Sequence, residues 1–158
     1  MIKHLLKGFL ALTILIAASA CGSETPEPDQ KTPEQLATEE LADDGSATWT
    51  VAQGGSVTKD GANQTDLFNG FSITFNASGQ SRTYSSSNGQ GIFDASGNWS
   101  LAGSNLDRVI LTGDQPASGE EIQFTRNQNN LRLSFSIPMP NARTNAVAGS
   151  YVFELTTE

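Results

Sequence analysis

Leu131-Arg132-Leu133-Ser134-Phe135-Ser136-Ile137 alternates apolar and polar residues without a break, and Tyr151, Phe153 and Leu155 alternate with Val152 and Glu154 near the end of the chain. A period of two places every second side chain on the same face of an extended strand, so each run has one face to bury and one to wet. The same pattern extends backward through Ile122 and Phe124 around Gln123, Trp99 and Leu101 around Ser100, and Phe71, Ile73 and Phe75 around Ser72 and Thr74. Helical spacing is absent from this region. Between the runs stand Asn76-Ala77-Ser78-Gly79, Ser87-Asn88-Gly89, Ala95-Ser96-Gly97, Gly103-Ser104-Asn105 and Asn127-Gln128-Asn129-Asn130. Gly and Asn tolerate the positive φ of hairpin turns, so these read as short antiparallel connections. Phe75-Asn76-Ala77-Ser78-Gly79 returns eighteen residues later as Phe93-Asp94-Ala95-Ser96-Gly97, which reads as one hairpin chemistry used twice.

The expected strands are 47–52, 70–75, 80–86, 91–94, 98–102, 106–112, 120–126, 130–137 and 149–156. Consecutive short hairpins make an up-and-down antiparallel meander. Eight or nine such strands are best closed into a barrel, which removes exposed edges. A two-sheet sandwich is the alternative, and it calls for longer crossovers than the two long connections at about 53–69 and 138–148 provide. The expectation is therefore an all-β barrel domain over 47–158, preceded by one short helix within 32–46. Thr32-Pro33-Glu34-Gln35 has the spacing of a capping box with proline at the first helical position. Leu36, Ala37 and Leu41 give the helix a narrow apolar edge, and Asp43 and Asp44 help stop it before Gly45.

The chain has 158 residues and a formal net charge of −8, distributed unevenly: +2 over residues 1–20, −7 over 22–46 and −3 over 47–158. Lys3 and Lys7 precede a twelve-residue uncharged run, Phe9 to Ala20, that is shorter than the roughly 20 apolar residues needed to cross a bilayer. Ala17-Ala18-Ser19-Ala20 then leads into Cys21, the layout of a secretory signal peptide over 1–20 ending at a processing site. This resembles the lipobox of bacterial lipoproteins. The resemblance implies that Cys21 becomes an acylated N-terminus, carrying palmitate-type chains, and Gly22 points to the outer membrane of the cell envelope. Whether the protein faces the periplasm or the cell surface stays open. Residues 21–31 are acidic and rich in proline with no large apolar side chain, so they read as a solvated tether.

From Thr48-Trp49-Thr50-Val51 through Ser56-Val57-Thr58-Lys59-Asp60-Gly61, Tyr84-Ser85-Ser86-Ser87-Asn88-Gly89 and Ser96-Gly97-Asn98-Trp99-Ser100 to Gly149-Ser150-Tyr151-Val152-Phe153, the chain resembles lipocalin-like domains of Gram-negative lipoproteins, a largely uncharacterised group. Trp49 is similar to the tryptophan that plugs one end of lipocalin barrels. The resemblance implies an antiparallel barrel that binds a small apolar molecule, and it supplies no catalytic residues.

The only histidine, His4, and the only cysteine lie within the first 21 residues, so His-dependent triads, Cys nucleophiles and the usual zinc sites are not expected in the domain. No enzyme activity, cofactor or metal is expected. Glu120 and Glu121 point to opposite faces of an extended chain and cannot act as a carboxylate pair. Asp94, Ser96 and Asn98 around Gly97 lack the further acidic ligands of a calcium loop. The arginines are dispersed in a domain of net −3, which opposes nucleic-acid binding. What remains is aromatic. Trp49, Phe71, Phe75, Trp99, Phe124, Phe135, Tyr151 and Phe153 should line the barrel interior, either as a filled core or as contacts for a small hydrophobic ligand. The leading functional expectation is such binding by a membrane-attached lipoprotein. The competing one is a non-catalytic structural or interaction module that meets an envelope protein or glycan through its loops.

Overall fold

A computed structural model describes residues 30–139 and 147–158. The expected signal peptide over 1–20, Cys21 and most of the expected tether lie outside the described residues, as does the greater part of the 138–148 connection. The compact unit Lys31–Glu158 contains every described element.

Helix α1 (Pro33–Ala42) begins with the expected capping box: the Gln35 backbone N–H donates to Thr32 Oγ1 at 3.2 Å and the Thr32 N–H to Gln35 Oε1 at 2.7 Å. Its end falls at Asp43, which adopts a left-handed φ of 49°. The buried face consists of Ala37, Leu41 and Ala42, whereas Leu36, expected on that edge, is half exposed. The correction follows from register. Leu41 and Ala42 are wholly enclosed under the barrel end, and the same rotation turns Leu36 outward. Burying one leucine in this way contributes about 2 kcal/mol to docking the helix.

Ten strands follow: β1 (Ser46–Thr50), β2 (Ser56–Lys59), β3 (Ala62–Asn63), β4 (Ser72–Ser78), β5 (Ser81–Ser87), β6 (Ser96–Ala102), β7 (Arg108–Leu111), β8 (Ile122–Asn127), β9 (Asn130–Ile137) and β10 (Gly149–Thr157). From β4 to β10 each strand pairs antiparallel with the next. β4 also pairs with β1, and β1 with β10, closing a barrel of eight strands. Strands β2 and β3 are additions outside this ring. β10 is the seam: its last residues pair with β1 (Trp49↔Thr157, Thr50↔Thr156), and its middle pairs with β2 (Val57↔Phe153, Lys59↔Tyr151). Strands β1 and β2 therefore run along the same neighbour, interrupted by residues 51–55. Gly55 allows the interruption to close, since a Cβ there would lie 2.5 Å from the Glu154 carbonyl oxygen.

Three sequence expectations are corrected. The supposed connection 53–69 contains the β2–β3 hairpin, too short for its period to show. The supposed strand 91–94 is irregular chain between β5 and β6, because Gln90 and Gly91 at positive φ turn the backbone out of the sheet. The two copies of the Phe-x-Ala-Ser-Gly pattern also play different parts. Gly79 turns the β4–β5 hairpin at φ 59°, whereas Ser96 and Gly97 lie within β6, with Gly97 opposite Tyr84.

Inward residues form one continuous core, in which Trp49, Val57, Phe71, Ile73, Phe75, Val109, Leu131 and Phe153 are fully buried. One end of the barrel is covered by α1. The other, here called the loop end, carries the irregular segments 64–71, 88–95 and 112–121.

Candidate functional site

The eight aromatic residues expected inside the barrel are all buried there. They fall into two groups. At the helix-capped end, Trp49 donates its indole N–H to the Leu41 carbonyl at 2.8 Å, and the Arg126 guanidinium lies 5.1 Å from its ring. Arg126 also donates to the Glu39 carbonyl at 2.8 Å and to Asp43 at 3.1 Å. A single arginine on β8 thus ties the helix C-terminus to the barrel through charge, hydrogen bonds and ring stacking. Trp99 packs edge-on to Phe75 at 5.8 Å, shares its N–H between the Asn76 and Thr83 carbonyls at 3.2 and 3.1 Å, and lies under Arg82 at 5.2 Å. Phe124 is buried on β8, in register with Leu133.

The loop-end group is built around Phe153. Its ring centroid is 5.1 Å from Phe71, 6.0 Å from Phe135 and 6.3 Å from Tyr151, the last two stacked. Two further rings, which periodicity did not mark, complete the cluster from irregular chain. Phe68, on the segment between β3 and β4, meets Phe153 edge-on at 5.1 Å, and Phe93, between β5 and β6, sits 5.2 Å from Phe71, 5.4 Å from Phe153 and 5.7 Å from Phe135. Ring spacings of this size are direct contact. Among the described residues, the chain's own rings fill the space around Phe153.

Five clefts open to solvent stand out among the described residues, two of them, of about 360 and 310 Å³, at the helix-capped end beside Arg126 and beside Ser46 and Thr157. The largest, about 400 Å³, lies between α1 and the β4–β5 turn. Its one cation, Arg82, is already bound to Glu34 at 2.7 Å and stacked on Trp99. A second, about 370 Å³, is a shallow polar trough across the outer faces of β8, β9 and β10. The smallest of the five, about 200 Å³, sits at the loop end among Lys59, Gln64, Leu67, Phe68, Ile92 and Tyr151. Phe68 and Tyr151 of the aromatic cluster line it beside the exposed Leu67 at the loop end, so it is the candidate site despite its size. Lys59 stands 5.7 Å over the Tyr151 ring.

Tyr151, Tyr84 and Asp94 are each engaged in hydrogen bonds near the loop end. Tyr151 donates its hydroxyl to the Val147 carbonyl at 2.9 Å, and burial, with the nearby Asp60 charge, raises its pKa. Tyr84 donates to the Thr112 carbonyl at 2.9 Å and is raised by burial and then by Asp94. Both phenols stay protonated as hydrogen-bond donors. Asp94 joins two loops: its carboxylate accepts from the backbone N–H of Asp114 at 3.0 Å and of Gln115 at 2.9 Å, and from the Ser118 hydroxyl at 2.8 Å. Burial pushes its carboxyl up, but these donors outweigh it and hold the pKa below the usual range. A carboxylate surrounded by donors is not arranged to take calcium. Among the described residues no cluster of three or more His, Cys, Asp or Glu side chains is placed to hold a metal. Also among them, no helix is long and apolar enough to cross a membrane.

Compared with known proteins, the chain matches no family model, and no match is found among curated proteins or solved structures.

Proposed function

We propose that this is a lipocalin-like lipoprotein of the bacterial cell envelope, anchored to the outer membrane through lipid on Cys21, and that its barrel is a non-catalytic module working through its loop end. The anchor rests on the sequence: the charged start, the short apolar run and the small residues leading into Cys21. Diacylation plus a further acyl chain exceeds the two signals needed for stable attachment. The single observation carrying the interaction role is the filled interior. One barrel end is occupied by α1 and the middle by the chain's own rings, so contacts with an envelope protein or glycan fall to the loop end. Leu67, 54% exposed, stands there beside the cleft.

Expression of the full chain in a lipoprotein-processing host tests this reading. The Cys21→Ser variant should lose palmitate labelling and move from the membrane to the soluble fraction. A photo-crosslinking residue at position 67 should give a discrete adduct in the lipidated protein, and one at Ser100 on the side wall should give none. Retention of Cys21→Ser in the membrane would sink the anchor, and equal cross-linking from both positions would remove the loop end as the working surface.

A second reading, uptake of a small hydrophobic molecule, is favoured by a different observation. Two of the rings that fill the loop end, Phe68 and Phe93, are carried on irregular chain rather than on strands of the barrel.

A further inference from the structure

Phe93 differs from the other core rings in how it is held. Phe71 adjoins the start of β4, and Phe135 and Phe153 stand in a continuous β9–β10 ladder of eight paired positions. Phe93 belongs to segment 88–95, which has no ladder partner, and the residue is only 5% exposed. The backbone of that segment is bent at Asn88, Gln90 and Gly91, with φ of 55°, 52° and 72°. Left-handed geometry at two non-glycine residues so close together is unfavourable unless the surroundings impose it.

A few polar contacts impose it. Asn88 donates to the Gly70 carbonyl at 2.8 Å, and the Ala117 N–H donates to the Ile92 carbonyl at 3.0 Å. The Ser86 hydroxyl donates to the Asp94 carbonyl at 2.8 Å. The Ser86 backbone N–H donates to the Ala95 carbonyl at 2.9 Å, and the Asp94 side chain fastens the segment to the 112–119 loop through the donors of Asp114, Gln115 and Ser118. Next to the ring, Ile92 and Gln90 line the inner wall of the loop-end cleft.

We propose that Phe93 is a removable internal occupant, and that when segment 88–95 swings outward the space among Phe71, Phe135 and Phe153 takes a neutral planar aromatic molecule of one or two fused rings, arriving through the loop-end cleft. The inference rests on the second reading above. The ligand class follows from the walls. The three rings that touch Phe93 present faces and edges, which favour another aromatic ring in tilted or edge-on contact. Among the described residues no buried side-chain nitrogen or oxygen lacks a partner, so a charged or strongly hydrogen-bonding ligand would lose its hydration without compensation. The size follows from the occupant, since an apolar cavity of roughly 150 Å³ accepts benzene. Asp94 is a positioning residue here. It touches no ligand and sets how often the segment is open, and the observed affinity scales with that open fraction.

Indole is a suitable probe for the unlipidated full chain carrying Cys21→Ser. Calorimetric titration should show one indole per chain, and NMR should show the contacts of the Phe93 ring with Phe153 and Phe135 disappearing as indole saturates. Adding Asp94→Asn should tighten indole binding several-fold with those interior residues intact, and adding Phe93→Ala should tighten it by about tenfold or more. If Phe93→Ala fails to fold, Asp94→Asn decides the matter alone, because it leaves the core untouched. Binding to Phe93→Ala but not to the parent chain would mean an artificial cavity and overturn the proposal. An Asp94→Asn affinity equal to the parent's would overturn it too. A larger apolar dye, N-phenyl-1-naphthylamine, separates the two levels. If it binds all three chains equally while indole binds none, hydrophobic uptake stands and the Phe93 mechanism falls; if neither probe binds any chain, both fall.

Discussion

Phe153→Ala is expected to lower the unfolding free energy by about 3–5 kcal/mol, the range for removing a large aromatic side chain from a packed interior. Phe153 has no solvent exposure and its ring lies within 6.3 Å of Phe68, Phe71, Phe93, Phe135 and Tyr151. Its strand, β10, is also the seam, so the loss affects the place where β1 and β2 meet the rest of the sheet. Small domains have about 5–15 kcal/mol in total, which makes this one truncation a large fraction of the whole. Urea unfolding followed by tryptophan fluorescence should show a much lower midpoint with an unchanged slope. A midpoint near that of the parent chain would mean that Phe153 is not at the centre of the core.

Gly97→Val should cost about 3 kcal/mol, or prevent folding, as overpacking at a rigid contact does. The backbone of Gly97 is not in the left-handed region, so the requirement is one of space. A Cβ there would lie 2.4 Å from the Thr112 carbonyl oxygen and 2.7 Å from Cε1 of Tyr84. The first neighbour is backbone. The second is a ring held by its hydroxyl to that same carbonyl at 2.9 Å, so neither yields easily. Ser100→Ala, on the exposed face of the same strand, should stay within about 0.5 kcal/mol of the parent. Thermal unfolding of the two variants side by side makes the comparison.

Legibility in the sequence followed the range of the cause. Strict alternation in β4, β9 and β10 reports which face is buried, and that is a local property of each strand. The capping box at Thr32 was equally legible, since it is complete within four residues. Segment 91–94 was not. Ile92 and Phe93 are apolar because they plug the barrel, and an apolar pair bounded by turns looks the same whether it lies in a strand or fills a hole. Gly97 had the look of a turn glycine, but its cause is the ring of Tyr84 on the neighbouring strand. Seven of the eight interior aromatics were found by period, and Trp49 by its resemblance to the tryptophan that plugs lipocalin barrels. Phe68, Phe93 and the Asp94 tie were missed, because their meaning lies in contacts with β10 and with the 112–119 loop, far away in the chain. A buried aromatic followed at once by an acid, outside any alternating run, was the only available signal.

The β1–β10 seam closes the barrel around the chain's own rings, with Phe93 among them. Nuclear Overhauser spectroscopy of the ligand-free protein tests both parts in one measurement. A barrel closed in this way gives cross-strand contacts between Trp49 and Thr157 and between Thr50 and Thr156, together with ring contacts from Phe93 to Phe71, Phe135 and Phe153. A spectrum lacking the seam contacts, or one in which the Phe93 ring touches only solvent and its own loop, would contradict it.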